Sequence, residues 1–249
     1  MRFILLPLLL GHAIGDFYFQ TNKIARQKTQ KISKLILHVL IYAVLMAVIL
    51  VLNVKISNPL IICWSLASAS HGVIDLLKFY MIKSKSNKKF HTVIRKYQYF
   101  IDQALHFIAL SILTIYFYDK LSASHWRTII FALPASPMVF LTGFSYLLKP
   151  VSLTITEFFQ VTGLRETINS PEDDQQSSFI RAGNYIGMLE RILIFCLILY
   201  DQYAAIGFLM TAKTITRFKD LEKRKVAEYY LIGTLLSIAA AFGIALICK

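Results

Sequence analysis

Apolar runs of about 20 residues recur along the chain, and they constrain its fold more than any short motif does. The run "LILHVLIYAVLMAVILVLN" at 35–53 carries no Asp, Glu, Lys or Arg. Comparable runs fall near 3–20, 58–81, 98–118 and 128–148. The tail "GNYIGMLERILIFCLILYDQYAAIGFLMTAKTITRF" at 183–218 reads as one long helix or two short ones, with a last run near 227–247. In lipid each backbone N–H and C=O must find its partner inside the protein, so runs of this length predict an all-α polytopic transmembrane helix bundle. The start, "MRFILLPLLLGHA", imitates a secretory signal, but the basic loop that follows favours its retention as a first span.

The composition fits that class. The chain has 249 residues, 56% hydrophobic and 16% charged, yet a net charge of +13. Basic residues confined to loops between apolar spans explain the combination and point to an anionic membrane surface as the partner. No Gly-rich phosphate loop, zinc-finger spacing or aromatic-basic RNA motif accompanies the charge, which argues against nucleic acid. Cys63, Cys196 and Cys248 are isolated and read as apolar filler.

The positive-inside rule orients the bundle. The loop 22–34 carries Lys23, Arg26, Lys28, Lys31 and Lys34, and the loop 78–96 is at least as basic, so both are expected on the cytoplasmic side. Splitting 183–218 with a turn at Asp201-Gln202 places Lys219, Lys223, Arg224 and Lys225 on that side as well. The split gives about eight spans, against seven without it, with both termini outside. It leaves Arg2, Lys55, Lys120, Arg127 and Lys249 on the outer side and Arg191 within a span. The expected organisation is a four-helix region at 1–118, a variable span and cytoplasmic loop at 119–182, and C-terminal helices at 183–249 that pack on the bundle. "LPASP" at 133–137 suggests an irregular entry to the fifth helix, since each Pro removes a backbone donor.

Ionisable groups inside these spans share one depth. In "GHAIGDFYFQ", His12 and Asp16 stand four residues apart and so lie on one helix face. His71 and Asp75 repeat the spacing in "SHGVIDLLK", and Asp102 and His106 repeat it in reverse in "FIDQALHF". His38 adds an imidazole from the second helix. Counted from the flanking lysines at 1.5 Å per residue, the groups lie roughly 5–10 Å inside the cytoplasmic boundary, with His12 and His106 a turn deeper. His12, Asp16, His38, His71, Asp75, Asp102 and His106 are therefore candidate ligands for one or two divalent ions, Zn²⁺, Mn²⁺ or Fe²⁺. The plainer reading of any single pair is hydrogen-bonded glue between helices. His91 and His125 read as solvated loop residues.

Other polar groups lie at similar depth. Gln20 and Gln103 flank the carboxylates. Lys78, Arg191, Lys213 and Arg217 are candidate contacts for an anionic group such as a phosphate, while Glu190 and Glu228 read as structural ion-pair partners, for instance Glu190 with Arg217.

The segments "GHAIGDFYFQTNKIARQK", "LILHVLIY", "SHGVIDLLK" and "FIDQALHF" resemble, in order and spacing, the DUF3307 family of bacterial integral membrane proteins. "GNYIGMLERILIF", "AAIGFLMTAKTITRF" and "EYYLIGTLLS" resemble the C-terminal region that often accompanies it. The resemblance spans most of the chain outside 119–180 and implies an integral membrane protein, with no activity assigned to the family. A looser likeness, in helix-borne His and Asp, is to membrane-bound metal-dependent hydrolases.

The leading functional expectation is a metal-dependent hydrolase or lipid-modifying enzyme of the bacterial inner membrane. It would act on a lipid or lipid-linked substrate at the cytoplasmic leaflet through activated water, with Asp16 or Asp102 as base. Membrane lipids are the expected partners, and a homo-oligomer is left open. Two alternatives stand beside it. A divalent-cation or proton-coupled transporter would connect its site to both faces, yet outer halves such as "FILLPLLL" and "IALSILTIYF" carry no charge. A scaffold with a buried His/Asp network would bind no metal.

Overall fold

The computed structural model describes residues 2–20, 27–83, 88–123, 137–164, 174–216, 218, 222 and 224–249. Those residues form an all-α fold, with no strand beyond an isolated bridge between Val54 and Ala123. The helices are α1 (Arg2–Ala13), α2 (Ile32–Asn53), α3 (Asn58–Lys83), α4 (Lys88–Phe117), α5 (Pro137–Leu147), α6 (Lys149–Thr162), α7 (Asp174–Leu199), α8 (Tyr203–Thr216) and α9 (Arg224–Cys248). Among the described residues, five stretches are long and apolar enough to cross a membrane: Ile32–Asn53, Asn58–Lys83, Arg95–Phe117, Pro137–Thr162 and Val226–Cys248. Large apolar side chains such as Val44, Ile112 and Ile115 are more than half exposed on their outer faces, as lipid contact requires.

The chain forms two compact units, Met1–Thr142 and Gly143–Lys249. In the first, α1 packs on α2, α2 on α3, α3 on α4, and α4 returns to α1, closing a four-helix ring. Its dry core is built by Leu8, Met46, Leu50, Leu60, Cys63 and Leu110, among others. The buried faces keep helical spacing and change character partway along each helix. On α3 they run Leu60, Cys63, Ala67, then His71 and Asp75. One half of the bundle is therefore apolar inside, and the other half carries the ionisable groups.

α1 does not end as a regular helix. Ile14–Tyr18 form a π-helical turn, closed by Phe19 N–H donating to the Ile14 carbonyl at 3.0 Å. Such turns are rare and mark places where side-chain direction matters. Here the turn carries Asp16, and Gly15 lets it lie against α2, because a Cβ on Gly15 would stand 2.7 Å from Tyr42 Cδ2. Tyr42 is fully buried and stacks face to face on His71, with ring centroids 3.7 Å apart, so it has nowhere to retreat. Gly15→Ala is expected to cost about 1–3 kcal/mol by overpacking. Thermal unfolding in detergent checks this, and an unchanged Tm would show that the turn relaxes freely.

Several boundaries differ from those expected. The basic stretch 78–96 is mostly helix, with α3 running to Lys83 and α4 starting at Lys88, so His91 lies within α4 and not in a loop. No Gly or Pro falls between 73 and 117 to stop either helix, and Lys and Arg are good helix formers. The stretch from 149, expected as loop, begins with α6. A backbone break at Leu148 separates it from α5, Pro150 lies in its first turn, and Gly163 ends it at φ 75. α7 starts at Asp174, ahead of the expected 183. The split at Asp201-Gln202 is present: α7 stops at Leu199, Asp201 takes φ 59, and α8 begins at Tyr203. "LPASP" lies outside the described residues except for Pro137, and His125 lies outside them altogether.

Candidate metal centre

All seven ionisable residues expected at one depth are buried in the first unit: His12, Asp16, His38, His71, Asp75, Asp102 and His106. Each sits on the inward face of its helix, and α1 with its π turn, α2, α3 and α4 each contribute. Asp16, His38 and His71 form a compact group whose ligand atoms all lie within 4.8 Å of one another and could hold a metal ion. His38 Nε2 is 3.1 Å from His71 Nε2, 3.3 Å from Asp16 Oδ1 and 3.4 Å from Asp75 Oδ2. Asp75 Oδ2 stands 3.7 Å from His71 Nε2.

These spacings suit a cation. A tetrahedral ion with arms of about 2.0–2.1 Å holds its ligand atoms about 3.3–3.4 Å apart. Two imidazole nitrogens facing each other at 3.1 Å need either a shared proton or a shared cation. His71 Nδ1 is buried with no hydrogen-bond partner, so donating from Nε2 would leave one lone pair idle and accepting there would strand an N–H.

The other expected ligands stand around this group. His12 Nε2 donates to Gln103 Oε1 at 3.3 Å, and Gln103 Nε2 donates to Asp16 Oδ2 at 3.2 Å and to Asp102 Oδ2 at 3.4 Å. His106 Nδ1 donates to the Asp102 carbonyl at 2.8 Å. These bonds place both protons, so His12 Nδ1 and His106 Nε2 are left as lone pairs, buried and unpartnered. The two rings stack at 5.0 Å. Gln20, with its amide turned to suit its neighbours, donates to Asp16 Oδ1 at 3.1 Å and accepts from Lys28 at 3.1 Å.

Lys28 is the residue that sequence reasoning missed. It was one of five loop cations, yet here it is 7% exposed, with Nζ 2.9 and 3.1 Å from the two Asp75 oxygens and 3.5 Å from Asp16 Oδ1. Burial opposes its charge, but Asp16 and Asp75 outweigh that and hold its pKa above the usual lysine value. The signal available was the acid excess at one depth, which calls for a buried cation without saying which loop lysine supplies it. Lys78 pairs with Asp102 Oδ2 at 3.0 Å. Three carboxylates against two ammonium groups leave one negative charge uncompensated while the imidazoles are neutral.

The remaining expected contacts belong to the second unit. Arg191 donates to the Leu147 carbonyl at 2.9 Å, to the Leu148 carbonyl at 3.5 Å, and to the hydroxyls of Ser152 and Ser237. Its guanidinium thus satisfies carbonyls freed by the break between α5 and α6. Lys213 pairs with Glu190, the residue expected to meet Arg217, which lies outside the described residues. Glu228 pairs with Arg224 one turn away, at 2.9 Å on the surface.

Fold and site together define a helical protein with several membrane-length apolar spans and a buried Asp/His/His group able to hold a metal. Residues 4–133 match the family model DUF3307, a protein of unknown function, and the chain belongs to that family. The match takes in every residue of the His/Asp cluster and ends before the second unit. No curated protein and no solved structure matches the chain.

Proposed function

We propose that this protein is an enzyme of the bacterial inner membrane that uses one divalent ion, held by Asp16, His38 and His71, to hydrolyse or otherwise modify a lipid or lipid-linked substrate from the cytoplasmic side. The observation that carries the reading is the approach of His38 Nε2 and His71 Nε2 to 3.1 Å, with Asp16 Oδ1 3.3 Å from the first. The chemistry a bound ion supplies in such a setting is a water of lowered pKa and a polarised ester or phosphoryl oxygen. Of the two carboxylates considered for acid–base work, Asp16 belongs to the donor group. Asp102 keeps Oδ1 buried without a partner and is the one placed to accept a proton or a donor group from a substrate.

A second reading has one observation in its favour. Lys28 already brings a positive charge between Asp16 and Asp75, so the network can serve as a metal-free scaffold that fixes the bundle. Metal analysis by mass spectrometry, on full-length protein purified in mild detergent without a metal-binding tag, separates the two. About one equivalent is expected. No ion after supplementation with Zn²⁺, Mn²⁺ and Fe²⁺ would leave the scaffold.

A further inference from the structure

Between α3 and α4 lies a partly open groove. Its walls are apolar, formed by Leu77, Met81, Ile101 and Leu105 among others, and each of these four is more than 40% exposed. Its lining also includes Lys78, Arg95, Gln98 and Asp102. Two buried acceptors in that lining, Gln98 Oε1 and Asp102 Oδ1, have no hydrogen-bond partner. The Asp102 residue is only 6% exposed.

A wall exposed on the flank of membrane-length helices faces hydrocarbon, so the occupant must be apolar along most of its length. Its polar end must match both signs. Lys78 uses one contact on Asp102 Oδ2, and an ammonium has three donors, so it retains donors for an anion, with Arg95 beside it. The idle acceptors need hydrogen-bond donors. A fatty acid would satisfy the cations and leave both acceptors bare, each at a desolvation cost.

We infer that the groove seats one glycerophospholipid with a donor-bearing headgroup, its chain along Leu77, Ile101 and Leu105, its phosphate at Lys78 and Arg95, and its headgroup donors on Gln98 and Asp102. Binding stands on the groove alone, and only the lipid's role as substrate rests on the proposed enzyme reading. The groove reaches the metal group through two hydrogen bonds, since Gln103 Nε2 contacts both Asp102 Oδ2 and Asp16 Oδ2. A headgroup on Asp102 would therefore lie one glutamine side chain away from the donor group.

The test is native mass spectrometry of the full chain in detergent, titrated with phosphatidylethanolamine or with phosphatidylcholine of the same acyl chains. The choline headgroup has the same charges but no hydrogen-bond donor. The ethanolamine lipid is expected to bind about tenfold more tightly, and Gln98→Met to narrow that ratio about threefold. Leu105→Trp fills the groove from its exposed wall and is expected to weaken binding about tenfold or more, with metal content unchanged. Equal affinity for the two lipids overturns the headgroup assignment. Undiminished binding to Leu105→Trp, or displacement of the lipid by inorganic phosphate alone, overturns the groove. Loss of lipid from Leu105→Trp in a protein that holds no metal supports the groove and removes the enzyme reading. Metal in a protein that binds neither lipid does the reverse.

Discussion

His71→Ala is expected to lower the affinity of the purified protein for Zn²⁺ by more than about 100-fold, since even partners that only orient metal ligands cost 10–100-fold. His38→Ala should do the same, because its Nε2 lies within 3.4 Å of three other donor atoms, on Asp16, His71 and Asp75. His106→Ala should stay within about tenfold of the parent, since its Nε2 is not part of the compact group. Titration against a competing chelator reads all three. His71→Asn serves as a second variant that keeps a polar group beneath the Tyr42 ring, in case the alanine loosens the stack. Equal affinities across the series would remove Asp16, His38 and His71 as the donor set.

Lys28→Met should produce the largest stability change in the molecule. The substitution keeps an unbranched apolar stem one atom shorter than lysine and removes the charge, leaving Asp16 and Asp75 buried against each other's field. Breaking a buried pair from one side costs about 3–5 kcal/mol. That loss is expected in unfolding experiments on chelator-treated protein. The two readings of the site then diverge. In a metal-binding site, added Zn²⁺ or Mn²⁺ replaces the missing charge and recovers much of the stability by mass action. In a scaffold, the loss is the same with and without metal.

Much of the site was legible because helices convert sequence spacing into direction. The pairs His12/Asp16, His71/Asp75 and Asp102/His106 each stand four apart, and their distances from flanking lysines placed them at one level. Convergence followed from those two facts. What spacing could not rank was the order of approach within the cluster. That Asp16, His38 and His71 form one donor group depends on the π turn at 14–18 and on Tyr42 backing His71, and both are matters of tertiary packing. Lys28 was hidden for another reason. A loop cation carries no periodicity, so nothing distinguished it from Lys23 or Lys31 until the chain folded back. The fold divides along the same line. Long uninterrupted spans such as α2 were plain, whereas the turn at Asp201 was one of two readings of 183–218 and was favoured only by the charge asymmetry. The 149–182 stretch was assigned to a loop by alternating the spans, which says nothing of its local structure, and a helix with Pro150 in its first turn begins there.

The apolar half of the first unit also acts as electrical insulation. From Met46 to Asn53 on α2, and from Leu110 to Phe117 on α4, the interior offers about 10 Å of helix lined mostly by apolar side chains, with Asn53 and Thr114 the buried polar residues among them. An unescorted ion entering that layer would face an idealised solvation barrier of order 20 kcal/mol, reduced by relaxation but still prohibitive on the timescale of turnover. Among the described residues, the ionisable cluster thus lies toward one side of the bundle. Under the proposed reading, protons, ions or headgroups that reach Asp16 and His71 would leave by the way they came, and turnover there would not discharge a membrane around the bundle.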